Sequence, residues 1–464
     1  MRVQLLLILV VIVALLAAGA GLAYWLGIPR LQAFSPADGA SALPAGVQIR
    51  LTFSQSMQTE TVIQRLEIVP ERPGSFSWQE SEGQPDRTLV FTPEQPWEAG
   101  ATVNVALLPG ARSAGMFSPG MRQRANWSFR IRQPELAYLY PSSGPSANIY
   151  VLNPLSGAST LLTQNMGVVQ DFSVNTSGSA IYYSSRTGMD SSAIFRLDLA
   201  LAEPDSTAQA TATPAELPPN TQILHCPRAL CRAAEISPDG KFLAYERTAF
   251  PGSGSSSLPQ VWVMPLDTQQ GKVEPEPFLA GNPDHETLQP AWSPQGLLTF
   301  YDRTDQVFVV VDMQSGQQYR FPNQTGEPGS WHPGGQQFIA PEILFVSVPD
   351  AQALASSHLI SFNWQTEKTQ DLTPGEDLED TAPAFSPDGD YLAFTRKFLD
   401  LMRWTPGRQV WILHLPSGAV QQRPNDPDSH HFHLAWSPDA EKMPYVRFNQ
   451  PKPTEPPELC LMDP

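Results

Sequence analysis

Histidine and acidic side chains near the C-terminus form the cluster with the clearest potential to bind a metal. The run His430–His433, with the sequence HHFH, closely follows Asp426 and Asp428. On an extended chain, His431 and His433 would point the same way and could share one ion, with Asp428 as a nearby carboxylate. A solvated polar loop is the alternative interpretation. A divalent metal at His431, His433 and Asp428 is therefore a hypothesis, and no resident cofactor is predicted.

A second stretch, Glu376–Asp380, contains four carboxylates within five residues. Carboxylate oxygens are ligands that Ca²⁺ prefers, and a surface charge run is the alternative interpretation. This stretch and the histidine run each precede a short strand that ends in an aromatic residue. They therefore occupy equivalent loops of a repeat described below, and they would lie at one rim of the protein.

Known catalytic signatures are missing from the sequence. There is no G-x-S-x-G nucleophile elbow, no Walker loop, no H-E-x-x-H pair and no EF-hand loop. Each of these motifs holds a nucleophile, a phosphate or a metal in a defined local geometry. The sequence therefore predicts no catalytic residue and no cofactor-binding residue.

Three cysteines occur in the chain. Cys226 and Cys231 are close enough to form a local disulfide, and two unligated thiols are the alternative. A zinc site is disfavoured, because it needs four ligands and only His225 stands beside these two thiols. Cys460 has no neighbouring cysteine in the sequence with which to pair.

The composition excludes several classes of protein. The chain has 464 residues, among them 47 prolines and 31 glycines, and this content disfavours a helical fold. With 29 basic against 46 acidic residues, the net charge is −17. Such a chain repels phosphate backbones, so nucleic acid is not expected as a partner. An apolar content of 41% still supports packed cores.

An uncharged stretch of 24 residues, Leu5–Ile28, lies near the N-terminus. As a helix it would be about 36 Å long, enough to cross a hydrocarbon core of roughly 30 Å. We interpret residues 1–30 as a signal-anchor helix in the cytoplasmic or an equivalent membrane. The remaining chain would then be extracytoplasmic, at the cell surface or in the periplasm. A cleaved signal peptide is the alternative, because Ala18–Ala20 resembles a cleavage site.

Residues 33–132 have the pattern of a β-sandwich. Segments such as Val47–Phe53 and Thr102–Leu107 alternate apolar and polar residues, as half-buried strands do. Five ordered motifs carry a family resemblance: SPADGA at 35–40, LTFSQSM at 51–57, LVFTP at 89–93, AGATV at 99–103 and WSF at 127–129. They resemble the bacterial Ig-like domain of S-layer proteins such as SbsA. The resemblance implies a spacer or adhesion module without catalytic residues.

A repeated turn motif is the strongest signal in residues 134–464. Ser-Pro-Asp-Gly and its variants begin at Ser173, Ser237, Ser293, His332, Ser386 and Ser437. Proline presets φ for the turn, Asp tolerates the next position, and Gly accepts the positive φ that closes the hairpin. Each copy separates two short strands. Tryptophans that directly precede three copies are predicted to be core residues: Trp292, Trp331 and Trp436.

One such four-stranded unit buries too little surface alone, so the units are expected to stack around an axis. The repeat resembles the blade of TolB and other WD-repeat-like propellers, which implies a β-propeller over residues 134–464. Counting second strands, including Leu136–Tyr140, favours seven blades, with six as the alternative. The predicted fold class is all-β: an Ig-like sandwich and a propeller behind one transmembrane helix. Because an Ig-like domain replaces TolB's own N-terminal domain, no role in the Tol system is implied.

Two functions follow from this organisation. The leading hypothesis is a non-enzymatic, membrane-anchored binding or scaffold protein whose propeller binds a protein, peptide or glycan. The alternative is a propeller enzyme, a lyase or hydrolase, that uses a metal-assisted site at one rim. Bound metal in the purified protein would discriminate the second hypothesis from the first.

Overall fold

A computed structural model describes residues 28–43, 45–81, 84–114, 118–141, 147–154, 156–164, 168–199, 220–250, 258–266, 276–346, 354–423, 426–450, 452 and 454–464. The predicted signal-anchor lies almost entirely outside these residues. Within them, no helix has the length and apolar character needed to cross a bilayer. The described residues form two compact domains that meet in sequence between Pro134 and Glu135.

The described part of the first domain contains eight strands and one short helix, α1 (Thr59–Ile63). The strands are β1 (Leu31–Ser35), β2 (Ala40–Leu43), β3 (Ile49–Phe53), β4 (Leu66–Val69), β5 (Gly74–Ser81), β6 (Gln84–Pro93), β7 (Thr102–Leu107) and β8 (Ala125–Ile131). They form two four-stranded sheets with the orders β1-β3-β6-β5 and β2-β8-β7-β4. The predicted two-sheet organisation of this region is confirmed.

Apolar residues at alternate positions of the strands form the core of this domain. Ile49, Leu51 and Phe53 in β3 are fully buried, and the residues between them are not. Trp97 is also fully buried, and its Nε1 donates a hydrogen bond to the Val47 carbonyl oxygen at 3.0 Å. Because the domain contains no disulfide among its described residues, this packing stabilises the sandwich unaided.

Six sheets make up the described part of the second domain, and one of them has eight strands. A single residue pair joins the two halves of that sheet, so we count them separately and call the seven units blades 1 to 7. Blades 1 to 3 contain β9 (Leu136–Tyr140), β10 (Asn148–Leu152), β11 (Ser159–Leu161); β12 (Val168–Val174), β13 (Ala180–Arg186), β14 (Ser191–Asp198), β15 (Asn220–Pro227); and β16 (Ala229–Ile236), β17 (Phe242–Ala249), β18 (Gln260–Pro265), β19 (Phe278–Leu279). In all three, strands that follow one another in sequence pair antiparallel.

Blades 4 to 7 follow the same up-and-down order. They contain β20 (Thr287–Trp292), β21 (Leu297–Asp302), β22 (Val307–Asp312), β23 (Gln318–Pro322); β24 (Ser330–Trp331), β25 (Gln337–Val346), β26 (Leu354–Asn363), β27 (Lys368–Asp371); β28 (Leu378–Phe385), β29 (Tyr391–Phe398), β30 (Gln409–His414), β31 (Ala419–Gln422); and β32 (Ser429–Phe432), β33 (Met443–Asn449), β34 (Glu458–Met462). Blades 5 and 6 also share one parallel pair, Ser357 with Glu379.

Blades 1 and 7 have three described strands each, and different strands are missing from them. In blade 1, the Ile149 amide donates to Thr163 Oγ1 at 2.9 Å, just as the Leu359 amide of the third strand β26 donates to Thr373 Oγ1. Strand β10 is therefore a third strand, and blade 1 lacks the first. In blade 7 the turn after β32 begins at Ser437, so its described strands β32, β33 and β34 are the first three of the unit.

Hydrogen bonds show why the turn motif repeats. The Ser237 amide bonds the Phe242 carbonyl oxygen at 2.8 Å, and Ser237 Oγ accepts the Phe242 amide at 2.9 Å. Gly240 adopts φ 74° and returns its amide to the Ser237 carbonyl. In blade 2, Asn175 makes these backbone bonds, with Gly178 at φ 63°. The expected start of that copy at Ser173 is therefore wrong by two residues, because an asparagine replaces the serine.

Blades 2 to 6 are buried on both faces by their neighbours. Along β13, Ile181 and Tyr183 pack towards blade 1, whereas Ala180 and Tyr182 pack towards blade 3. Hydrophobic clusters join every successive pair of blades from 1 to 7. Because these strands are buried on both faces, the sequences of the second and third strands are almost continuously apolar.

The tryptophans before the turn motif also link neighbouring blades. Trp292 Nε1 donates to the Glu235 carbonyl oxygen at 3.0 Å, and Trp436 Nε1 donates to the Ala384 carbonyl oxygen at 2.9 Å. Both acceptors lie two residues before the turn motif of the preceding blade. Trp331 packs on Phe338, but its buried Nε1 has no hydrogen-bond partner among the described residues.

A disulfide joins Cys226 and Cys231, which decides between the two states that the sequence left open. It connects the end of the fourth strand of blade 2 to the first strand of blade 3. Cys460 in β34 is a free thiol.

Candidate functional site

A left-handed residue recurs at one position of the first strands. Ala233, Gln289, Ala382 and His433 have φ between 50° and 56°, and each lies four residues before the turn motif. The pairing register shifts at this position in blades 3, 4 and 6. Such a bulge re-aims the neighbouring side chains, so simple alternation does not predict where they point.

This bulge separates the predicted metal ligands. His431 is fully buried in β32, and its Nδ1 lies 2.9 Å from the Arg408 carbonyl oxygen. Asp428 and His433 are exposed, and His433 has φ 53°. The expectation that His431 and His433 lie on one extended chain is therefore wrong. Their ligand atoms, with those of Asp428, do not form a close group, and metal binding there stays a prediction.

Both histidines directly before Phe432 have lowered pKa values. Burial lowers the pKa of His430 to about 4, helped by the positive charge of Arg408. Burial also lowers the pKa of His431, whose Nε2 has no partner among the described residues. Asp426, the other acid of this stretch, forms an ion pair with Arg447 at 3.0 Å.

The acidic stretch Glu376–Asp380 does not form a single site either. Asp380 is fully buried, and its two oxygens accept bonds of 2.7 Å from Nε and Nη2 of Arg396. Glu379 lies 2.7 Å from Arg408 Nη2, whereas Glu376 is exposed. Two of the four carboxylates are thus neutralised by arginines, which leaves little charge for a cation.

Carboxylates on the first strand of blade 2 and the second strand of blade 3 bind backbone amides of the next blade. Asp171 Oδ2 accepts the amide of the left-handed Ala233 at 2.9 Å. Glu246 Oε1 accepts the amide of Gln289 at 2.7 Å, while its Oε2 binds Arg232 Nε at 2.7 Å. These acids satisfy donors that the bulges leave unpaired, so their role is structural.

Glu235 is the most strongly perturbed acid. Burial, together with the nearby Asp171, raises the pKa of Glu235 to about 8. Burial raises the pKa of Asp171 as well. At neutral pH the Glu235 carboxyl is therefore mostly protonated and offers no full negative charge to a cation.

One group in the described structure does bring three metal-ligating atoms together: His285, Asp302 and Asp305 in blade 4, within 4.8 Å of one another. His285 Nδ1 lies 2.8 Å from Asp302 Oδ2, and this hydrogen bond raises the pKa of His285. Arg320 Nη2 contacts both carboxylates, at 3.5 Å in the case of Asp302. A cation could use these three ligands only if Arg320 moved away.

Exposed apolar residues of the second domain mark a different surface. Large apolar residues with more than half of their surface exposed are Tyr140 (60%), Met189 (96%), Phe345 (65%), Leu401 (98%), Met402 (93%) and Trp404 (53%). We call them the loop-tip residues. All six lie at the connection between the second and third strands of a blade, in blades 1, 2, 5 and 6.

The connection of blade 6 is a well-defined projection. Asp400 Oδ1 accepts the amides of Met402 and Arg403 at 3.0 and 2.9 Å, and Oδ2 accepts Arg403 Nε at 2.6 Å. The Arg403 guanidinium lies 4.1 Å from the ring centroid of Phe398. These local bonds hold the turn, while Leu401 and Met402 at its tip remain uncovered. Ordered apolar side chains of this kind are typical of binding anchors.

The loop-tip residues share one face of the second domain. Within a meander of antiparallel strands, every connection between second and third strands lies at the same end. Trp292 and Trp436 bond equivalent carbonyl groups, so blades 3 and 4 and blades 6 and 7 stack in the same relative orientation. Asp171 and Glu246 likewise bind equivalent amides of the next blade, and Ser357 of blade 5 pairs parallel with Glu379 of blade 6. We call this surface the loop-tip face.

Comparison with known proteins identifies the first domain. Residues 27–131 match the bacterial Ig-like domain family. The predicted bacterial Ig-like domain is therefore confirmed, and the match covers less than a quarter of the chain. The likeness to S-layer proteins such as SbsA stays a prediction. No curated protein matches the sequence.

Solved structures similar to the chain include several propellers. Oligogalacturonate lyase in complex with manganese has 12% identity and a TM-score of 0.49, covering 86% of this chain and 97% of its own. TolB from Acinetobacter baumannii has 14% identity, a TM-score of 0.40 and coverages of 78% and 80%. The propeller domain of the Trilobed protease from Pyrococcus furiosus has 15% identity, a TM-score of 0.43 and coverages of 64% and 82%. The predicted TolB-like resemblance reappears here, but similarity at this level carries no functional argument.

The sequence reasoning missed the loop-tip face. Leu399, Leu401, Met402 and Trp404 stand between two predicted strands, where turn residues are expected. Four large apolar residues in such a connection are the signal that could have indicated it.

Proposed function

We propose that this protein is a non-enzymatic, membrane-anchored, extracytoplasmic binding protein that docks a partner protein on its loop-tip face. One observation carries the proposal: the most exposed apolar side chains of the second domain all lie at equivalent connections. Scattered apolar residues are normal on protein surfaces. Six that gather at one kind of connection, from four blades, indicate a surface that is covered in use.

A protein partner suits this chemistry better than a peptide or a glycan. The loop-tip residues project from the blades, so the partner must offer depressions that receive them. Aromatic and methionine side chains are enriched at the centres of protein interfaces. Full burial of Leu401 and Met402 would contribute roughly 1.5 to 3 kcal/mol each.

Three observations support the proposed location. The uncharged stretch Leu5–Ile28 is long enough to serve as an anchor. The disulfide between Cys226 and Cys231 is typical of exported proteins. An Ig-like domain between anchor and propeller would act as a spacer.

Site-specific photo-cross-linking in cells tests the proposal. A photoreactive amino acid at Met402 or Met189 should yield one discrete adduct with another protein. The same probe at Val174, which is 44% exposed beside a turn at the opposite ends of the blades, is the control and should yield none. The double substitution L401D and M402D should abolish the adduct formed from position 189. Absence of a discrete adduct at both tip positions would refute the proposal.

A metal-dependent propeller enzyme is the second candidate, and one observation favours it. His285, Asp302 and Asp305 place three ligand atoms within 4.8 Å. Titration calorimetry of the full chain with Mn²⁺ or Ca²⁺ would test it, with Asp302→Asn as the variant. Because Arg320 already contacts both carboxylates, we expect no binding above background. Stoichiometric binding that the variant loses would reverse the order of the two candidates.

A further inference from the structure

Two methionine side chains are almost fully exposed on the loop-tip face. Met189 in blade 2 is 96% exposed, and Met402 in blade 6 is 93% exposed. The other methionines of the described structure are buried or partly buried: Met57, Met121, Met264, Met313, Met443 and Met462. Because a dissolved oxidant must reach the thioether sulfur to react with it, the two exposed methionines are the ones open to attack.

The cysteines of the chain offer little competition for such an oxidant. Cys226 and Cys231 are buried and already joined by a disulfide. Cys460 is a free thiol, but it is half-buried, and burial raises its pKa. A raised pKa reduces the share of the thiolate, which is the reactive form of a cysteine. The thioethers of Met189 and Met402 are therefore the most accessible reduced sulfurs of the described residues.

The turns that carry these methionines are held by groups other than the sulfur atoms. Asp400 Oδ1 accepts the backbone amide of Met402 at 3.0 Å. In blade 2, the amides of Thr187 and Gly188 donate to the Ser191 carbonyl oxygen at 3.1 and 3.3 Å. A change at either sulfur leaves these hydrogen bonds in place. Oxidation would therefore change the chemistry of the loop-tip face while the fold beneath it stays intact.

A peroxide oxidises a thioether by transferring one oxygen atom. The sulfur forms a bond to one peroxide oxygen, the O–O bond breaks, and the second oxygen leaves as water or, from an organic peroxide, as an alcohol. The thioether is thereby oxidised to a sulfoxide and the peroxide is reduced. The sulfoxide oxygen is a hydrogen-bond acceptor, so burying it in a depression that receives an apolar side chain leaves it unpaired.

We propose that Met189 and Met402 are oxidation sites through which a peroxide releases the partner protein from the loop-tip face. This inference rests on the proposed function, because it concerns the regulation of the same surface. An unpaired acceptor in an interface weakens binding by about tenfold or more. Leu401 at the same tip contains no sulfur, so a peroxide leaves its side chain unchanged.

Peptide mapping of the purified full chain tests the two sites. After graded treatment with hydrogen peroxide, sulfoxide should form at Met189 and Met402 about tenfold faster than at Met121 and Met264. Met121 and Met264 are the matched controls, because both side chains are 4% exposed. Similar rates at all four positions would overturn the assignment of the sites.

Photo-cross-linking in isolated membranes tests the release of the partner. A photoreactive amino acid at position 401 leaves both methionines in place, and the adduct is measured with and without hydrogen peroxide. Peroxide should reduce its yield to about a tenth, and methionine sulfoxide reductase should restore it. With Met189→Leu and Met402→Leu, which keep apolar side chains of similar volume, the ratio of the two yields should stay near one. An equal ratio in both proteins would overturn the release mechanism.

This inference and the proposed function fail in different ways. If no tip position yields an adduct before peroxide is added, the proposed function is refuted and this inference falls with it. If an adduct persists after mass spectrometry has shown both methionines to be sulfoxides, only the inference about oxidation is overturned.

Discussion

Replacing tryptophan by phenylalanine at equivalent positions of three blades should have unequal effects on stability. Trp292, Trp331 and Trp436 all precede the turn motif, and all three are partly buried. Trp→Phe shrinks the ring at each site, which is a similar packing loss in all three. The sites differ at the indole nitrogen. In Trp292 and Trp436 it donates to a carbonyl group of the preceding blade, whereas in Trp331 it has no hydrogen-bond partner among the described residues.

The magnitude follows from these bonds. Trp436→Phe removes a hydrogen bond of 2.9 Å and leaves the Ala384 carbonyl without that donor. A net loss of about 1 kcal/mol, and more if the carbonyl remains dry, is expected. Trp331→Phe instead removes a buried donor that has no acceptor, which relieves a desolvation cost of about 1 to 3 kcal/mol. We therefore expect Trp436→Phe to destabilise the protein by about 2 kcal/mol more than Trp331→Phe.

Urea unfolding of the full chain, followed by far-ultraviolet circular dichroism, measures this difference. With a slope of about 3 kcal/mol per molar urea, 2 kcal/mol corresponds to about 0.7 M between the two midpoints. Trp292→Phe is the internal control and should behave as Trp436→Phe. Equal midpoints for the variants at 331 and 436 would show that the inter-blade bonds contribute nothing.

Three further predictions concern the disulfide and two buried titratable groups. Replacing Cys226 and Cys231 by serine should lower the free energy of unfolding by about 2 kcal/mol, as chain entropy predicts for so short a loop, and added reductant should affect only the wild type. Glu235→Gln should stabilise the protein by on the order of 3 kcal/mol near pH 8.5. The reason is the raised pKa of Glu235, which makes the stability of the wild type fall as pH rises from about 4.5 to 8. The difference in stability between variant and wild type should therefore shrink towards pH 4.5. A constant difference would refute that cause. The pKa of His430 is lower in the folded chain than in the unfolded chain, so on acidification the unfolded chain takes up the proton at a higher pH. The stability of the protein should therefore fall by about 3 kcal/mol as the pH is lowered from 6.5 to 4. His430→Asn should flatten this part of the pH profile, and an unchanged slope would assign it to other groups.

Local patterns carried most of the fold prediction. The hydrogen bonds of Ser237 and Gly240 lie within six residues, so the turn motif predicts a hairpin without reference to any distant contact. The alternation in Ile49–Phe53 likewise corresponds directly to one buried face. The disulfide between Cys226 and Cys231 was one of two predicted states, and only the folded chain shows which one holds.

The candidate site depended on features that alternation does not encode. The left-handed φ of His433 separates its side chain from that of His431. The residue types at this position do not predict a left-handed conformation. Asp380 appeared as one of four free acids, but Arg396 from the adjacent strand neutralises it. The first effect lies in the backbone conformation, and the second arises because a neighbouring strand supplies the partner that decides the side chain's role.

The amino-acid sequence by itself determined the repeat, the class of both domains and the absence of known catalytic motifs, because each depends on short-range turn chemistry and periodicity. Tertiary structure alone decided which apolar residues are covered. Leu401 and Leu243 are the same residue type, yet one is 98% exposed and the other fully buried, since only the second is enclosed by a neighbouring blade. The loop-tip face is a consequence of where that enclosure stops.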